Sequence, residues 1–201
     1  MGTISIDERW DAFRDALESG ESNRVNAAID DVEDMDLEER VQLFETCFEE
    51  VTDIYADSDD GYVRQSTVRF VEAFSPGLAV VFAAVDEESQ PIDVNRETIR
   101  RQADATSGFL LEAMTDTDGR VRNSAKRALK DVFRAYDAFE DKETIAVLEA
   151  ELAKMAKAHD DKRREHLLEA KADAAFFQQS GFGRLLEGFQ REFGDELDLD
   201  S

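Results

Sequence analysis

His159 and His166 are the only two imidazoles in the 201-residue chain. Seven positions on one helix put them on the same face but about 10.5 Å apart along the axis, too far to share one metal ion. Neither histidine is preceded by a glutamate at three positions, so the di-iron bundle pattern is missing. His159-Asp160 lacks the further histidine and aspartate positions that a metal phosphohydrolase needs. Cys47, the single cysteine, falls in the apolar-rich run 41–55 and reads as a buried thiol. Carboxylate pairs such as Glu165 with Glu169, or Glu49 with Asp53, are what 48 acidic residues produce by number alone. Acid-base catalysis also requires a cleft that shifts a pKa. There is no glycine-rich phosphate loop, nucleophile elbow or Cys-His partnership. The expectation is a protein with no catalytic residue, no metal and no cofactor.

The cations are more informative. Projected at 100° per residue, Arg120, Lys126, Arg127, Lys130 and Arg134 share about one third of a helix circumference, beside an apolar arc that runs from Ala135 to Leu129. Three uses compete for this stripe. It can pair with carboxylates of neighbouring helices, meet an acidic protein surface, or hold a phosphate backbone. No aromatic stacking platform or base-reading motif accompanies it, and the spacing of Trp10 with Phe13 and Leu17 assigns that indole to the core.

The stripe sits in a duplicated segment. Asp60-Gly61-Tyr62-Val63-Arg64-Gln65-Ser66-Thr67-Val68-Arg69 returns 58 positions later as Asp118-Gly119-Arg120-Val121-Arg122-Asn123-Ser124-Ala125-Lys126-Arg127, with six of ten positions identical. Each copy follows a long amphipathic helix and an acidic turn and opens a second helix, so the repeating unit is a helix pair. The aspartate caps free amides, valine starts the buried stripe, and the arginine lies at the edge of the apolar arc. From there its stem covers core atoms while its fork is expected to reach an aspartate of the preceding turn. Lys126 and Lys130 have Val68 and Glu72 at the matching places, so the repeat itself does not require the stripe.

The run from Leu110 to Leu129, with Asp116 in the turn, the Val121-Arg122 pair and small residues after it, resembles the HEAT-like (ARM-type) helical repeat family. Asp57 or Asp59, with Val63 and Arg64, matches the pattern less closely. The resemblance covers about two helix pairs. It implies an all-α stack of antiparallel helix pairs, an α-α superhelix of about 8 to 10 helices, in which Asp60, Val63, Arg64, Asp116, Asp118, Val121 and Arg122 are structural ties. The 58-residue displacement is longer than the usual period of that family, which points to an insertion at 78–85 and the loop after it.

The elements that carry these residues follow from periodicity. Two prolines and ten glycines leave too little punctuation for an all-β chain. Helical spacing predicts helices at 7–19, 22–32, 37–56, 61–74, 78–85, 96–114, 119–139, 142–158, 160–179 and 184–193, with Ser22, Asp36 and Asn95 as caps and Gly20 as a stop. Residues 1–180 read as one domain. Residues 181–201 read as a C-terminal amphipathic helix and acidic tail, whose Phe182, Leu185, Leu186, Phe189 and Phe193 either fold back on the last helices or support a homodimer.

Charge bears on solvent and partners. The net charge is −24, with −19 in residues 1–95 and +3 in residues 96–134. Arginine outnumbers lysine by 17 to 7. This excess of Asp and Glu over a normal helical core resembles the composition of halophilic archaeal proteins, which stay soluble when molar salt screens repulsion. It argues against a surface that grips nucleic acid or an anionic membrane throughout. No segment has the length and apolarity of a membrane span and no basic leader opens the chain, so the expected location is cytoplasmic. The function expected is a non-catalytic scaffold with a protein partner. One competitor is a nucleic-acid-binding or base-excision-like repair protein that uses the stripe Arg120 to Arg134; another is an acidic antagonist of basic proteins.

Overall fold

The computed structural model describes residues 6–75 and 96–179. These form α1 (Ile6–Ser19), α2 (Ser22–Glu33), α3 (Leu37–Asp57), α4 (Gly61–Phe74), α5 (Arg96–Ala113), α6 (Gly119–Ala138), α7 (Lys142–Lys157) and α8 (Lys162–Gln178), and among the described residues there is no strand. The expected helices at 78–85 and 184–193, the Asn95 cap and the apolar set Phe182 to Phe193 lie outside them.

Local chemistry sets most boundaries. Asp36 closes a capping box with Glu39 at the start of α3. Asp60, Asp118 and Asp161 each accept the backbone N–H two residues on, at the starts of α4, α6 and α8. Gly20 ends α1 with φ +63°, a conformation that only glycine adopts without strain. One cap differs from expectation. Ser22 is the first residue of α2 and Glu21 holds the cap position without a side-chain hydrogen bond; the Ser19 hydroxyl, still bonded to the last turn of α1, accepts the Glu21 N–H instead.

The eight helices pair as four antiparallel hairpins, α1–α2, α3–α4, α5–α6 and α7–α8, and the hairpins stack side by side. In one layer α3 packs between α1 and α5; in the other α2, α4, α6 and α8 pack in chain order. The last hairpin is held through α6, which touches both α7 and α8. The core lies between the layers. An aromatic chain crosses the first three hairpins, from Trp10 and Phe13 to Phe70, then Phe74, Phe44 and Phe48, and on to Phe109 and Tyr55, with ring centroids 4.5 to 6.5 Å apart. Trp10 and Cys47 are both buried, as their spacing predicts. Alanine, valine and leucine side chains of α6 and alanine and leucine side chains of α8 fill the later junctions, where Val121, Ala125, Leu129, Leu167, Ala170 and Ala174 are fully covered.

Candidate functional site

The duplicated arginines do what their position at the edge of the apolar arc allows, but in the opposite direction to that expected. Arg64 Nε and Nη2 donate to the two Asp116 carboxylate oxygens at 2.7 and 3.1 Å, while Nη1 donates to the Ser58 carbonyl at 2.9 Å. The arginine therefore takes only a backbone oxygen from its own turn, and its aspartate comes from the turn of the following hairpin. The rule that the fork takes an aspartate of the preceding turn fails in both copies. Ser58 stands in the first where Asp116 stands in the second, and in the second the Asp116 carboxylate is given to Arg64, which leaves Arg122 only backbone oxygens of its turn. Asp116 also accepts from the Tyr55 hydroxyl and the Asp118 N–H, at 2.8 and 2.7 Å. Burial works to raise the Asp116 carboxyl, but the bonds from Arg64, Asp118 and Tyr55 outweigh it and hold the group below the usual carboxylate range.

Gly61 completes this junction. A Cβ built there would lie 2.1 Å from Asp118 Oδ2, so the carboxylate that caps α6 rests on the open face of the preceding glycine. The bonds of that carboxylate with Arg120 hold it at about 2, against the opposing effect of burial.

Arg122 repeats half of this pattern. Its Nη1 donates to the carbonyls of Asp116 and Thr117 at 2.6 and 3.0 Å, again taking backbone oxygens of its own turn. Its Nε donates to Nδ1 of His166 on α8 at 3.1 Å, where Arg64 finds a carboxylate. Arg122 is 6% exposed and forms no ion pair among the described residues. His166 must accept at Nδ1, so its proton sits on Nε2. Burial first, then the charges of Arg122 and Lys126, lower its pKa from the ordinary 6.5, and Glu165 and Glu169 oppose them.

The five cations of the stripe all lie beside carboxylates of the chain. Lys126 meets Glu169 and Lys130 meets Asp173, so two rungs four residues apart join α6 to α8. Arg127 makes a two-pronged pair with Glu72 of α4, at 2.8 and 2.5 Å. Arg120 returns to Asp118, and Arg134 to Asp131 one turn earlier on its own helix. The stripe thus divides between two neighbouring helices and its own. Sequence reasoning did not identify Glu72, Glu169, Asp173 or His166 as partners. The matching four-residue spacings of Lys126 with Lys130 and Glu169 with Asp173 are the signal that could have found the α6–α8 rungs.

Two open grooves flank α3 in the other layer. One, about 380 Å³, lies between α1 and α3 and is lined by Ile54 and Val63 together with Arg14, Glu18, Glu50, Asp53, Asp57 and Ser58. The other, about 320 Å³, lies between α3 and α5 over Phe48 and Phe109, with Asp53 and Glu112 at its rim. Glu50 accepts from the Trp10 indole at 2.9 Å and from Arg14 at 3.2 Å, tying the buried ring to the first groove.

Among the described residues no group of three or more His, Cys, Asp or Glu side chains is placed to hold a metal ion. Cys47 is fully covered, and burial pushes its thiol up, away from the reactive thiolate. No described helix is long and apolar enough to cross a membrane. No family model, curated protein sequence or solved structure matches the chain.

Proposed function

We propose that this chain is a non-catalytic, HEAT-like helical-repeat scaffold that recognises a protein partner. The observation that carries the reading is the pair of grooves beside α3, each lined by apolar side chains and by more carboxylates than cations and bounded by successive hairpins. Such a surface buries apolar side chains of a partner and selects for basic ones at the rim. The stripe supports the same choice, because its five cations already neutralise carboxylates of the chain and a phosphate backbone would have to displace them. The acidic composition supports a high-salt setting for this activity, in which contacts with apolar side chains outlast those made by charge alone.

The test is capture on the immobilised chain in molar KCl, comparing the native protein with Asp53→Lys and Glu112→Lys variants, whose side chains line the grooves from exposed positions. A protein that coelutes with the native chain and is lost with either variant is the expected result. Retention of DNA or RNA at the same salt, abolished by Lys126→Glu, Arg127→Glu and Lys130→Glu together, replaces the reading with nucleic-acid binding.

A further inference from the structure

Three helices of one layer share a register set by their caps, because Asp60, Asp118 and Asp161 each accept the N–H two residues on. The residues seven, eleven and fourteen positions after each cap lie on one face of the helix. They are Thr67, Val71 and Phe74 in α4 and Ala125, Leu129 and Val132 in α6, and none of the six is more than 6% exposed. In α8 they are Leu168, Ala172 and Ala175, of which Leu168 is 44% exposed, Ala172 is exposed and Ala175 is half-buried. The face that is closed in the two inner hairpins is apolar but open in the last. Neither neighbour covers it: α6 meets α8 at His166, Glu169 and Asp173, and α7 meets it at Lys171 and Gln178. The other end of the stack is finished differently, since α2 turns Ser22, Asn23, Arg24, Asp30, Asp31 and Glu33 to solvent. A stack of helix pairs needs such a polar surface, or a cover, at each end.

We propose that the chain covers its own open end, with residues 184–193 seated on Leu168, Ala172 and Ala175 where a fifth hairpin would begin. This segment lies outside the described residues, and its sequence supplies what the face lacks: Leu185, Leu186, Phe189 and Phe193 recur at helical spacing directly after α8. Five residues, 179–183, separate it from α8, and the connections between described helices, apart from that of α4 to α5, hold two to five. Ten helical residues extend about 15 Å, enough to run antiparallel over the roughly 10.5 Å from Leu168 to Ala175. The same direction brings Asp195, Glu196, Asp198 and Asp200 to the first turn of α8. Arg164 is exposed there without an ion pair among the described residues, and the helix N-terminus adds its positive end. A tether this short gives an effective concentration on the order of millimolar, so the segment of the same chain outcompetes that of a second copy. The contact is independent of the grooves beside α3 and of the partner they would hold.

The experiment is nuclear Overhauser spectroscopy on the full chain, with methyl and aromatic groups labelled. The methyls of Leu168, Ala172 and Ala175 should show contacts with the Phe189 ring and with Leu185 or Leu186. These contacts should vanish when an isotope filter selects pairs between labelled and unlabelled copies in an equal mixture. Phe189→Asp, a change outside the eight helices, should increase the broadening of the Leu168 methyls by a neutral soluble paramagnetic chelate at least threefold. Leu168→Asp should in turn lower amide protection across 184–193 at least tenfold. Contacts that survive the filter put a second copy on the face and overturn the proposal. So does the absence of any contact, or a Leu168 signal that Phe189→Asp leaves unchanged.

Discussion

Asp116 shows how much one side chain can hold together. Its carboxylate is 5% exposed and receives a two-pronged arginine, a tyrosine hydroxyl and a backbone amide, from three different segments. Removing it leaves Arg64 buried without its counter-charge, and Asp116→Ala should cost about 3 kcal/mol of unfolding free energy, read from urea titrations. Acid should do the same reversibly. Asp116 and Asp118 both have folded pKa values below the ordinary 3.8, so their stabilisation is complete above about pH 4 and disappears as pH falls toward 2. His166 acts in the same direction at milder pH. The unfolded chain takes up its proton near 6.5 and the folded chain only below that, so the α6–α8 contact weakens as pH falls through 6.5 and the folded midpoint. Protection factors in α8 that fall between pH 7 and 5, once the slower intrinsic exchange at lower pH is divided out, while those in α4 stay constant, are the expected signature, and parallel changes in both helices would remove His166 from the argument.

At the scale of elements, the two repeat glycines make opposite demands although their sequences match. Gly61→Ala drives a methyl into the Asp118 carboxylate, 2.1 Å away, and should destabilise by about 1–3 kcal/mol as the α6 cap is displaced. Gly119→Ala meets only the end of the Arg122 side chain at 3.4 Å, and should change stability by less than about 1 kcal/mol, because the better helix propensity of alanine offsets a small shift of the guanidinium. Paired thermal melts of the two variants check this difference. The rungs Lys126–Glu169 and Lys130–Asp173 are partly exposed, so each should contribute less than about 1 kcal/mol in a double-mutant cycle. They specify the register of α8 on α6 only weakly, since a slip by one turn would set Lys126 against Glu165 or Asp173, again a carboxylate. Helix ends were legible because caps act within two or three residues, and the bounds of α4 are the ones periodicity predicts.

The whole molecule carries a net charge of −24, most of it in the first half of the chain, and this excess remains even when every Lys and Arg is paired. Raising KCl from about 0.1 M to about 1 M shortens the screening length from about 10 Å to about 3 Å. The melting temperature should therefore rise over that range, and a fall would overturn the halophilic reading. What the sequence determined by itself is the all-helical class, the order of the elements, the pairing into hairpins and the burial of Trp10, Cys47 and the Val-Arg segments. These depend on periodicity and capping, interactions completed within one or two turns of chain. Only the tertiary structure decided which acceptor each cation takes. Arg64 meets Asp116 across 52 positions, Arg122 meets His166 across 44, and Arg127 meets Glu72 across 55. With 48 acidic residues available, chemistry alone leaves those choices nearly equivalent, and the rotation at which neighbouring hairpins stack selects among them.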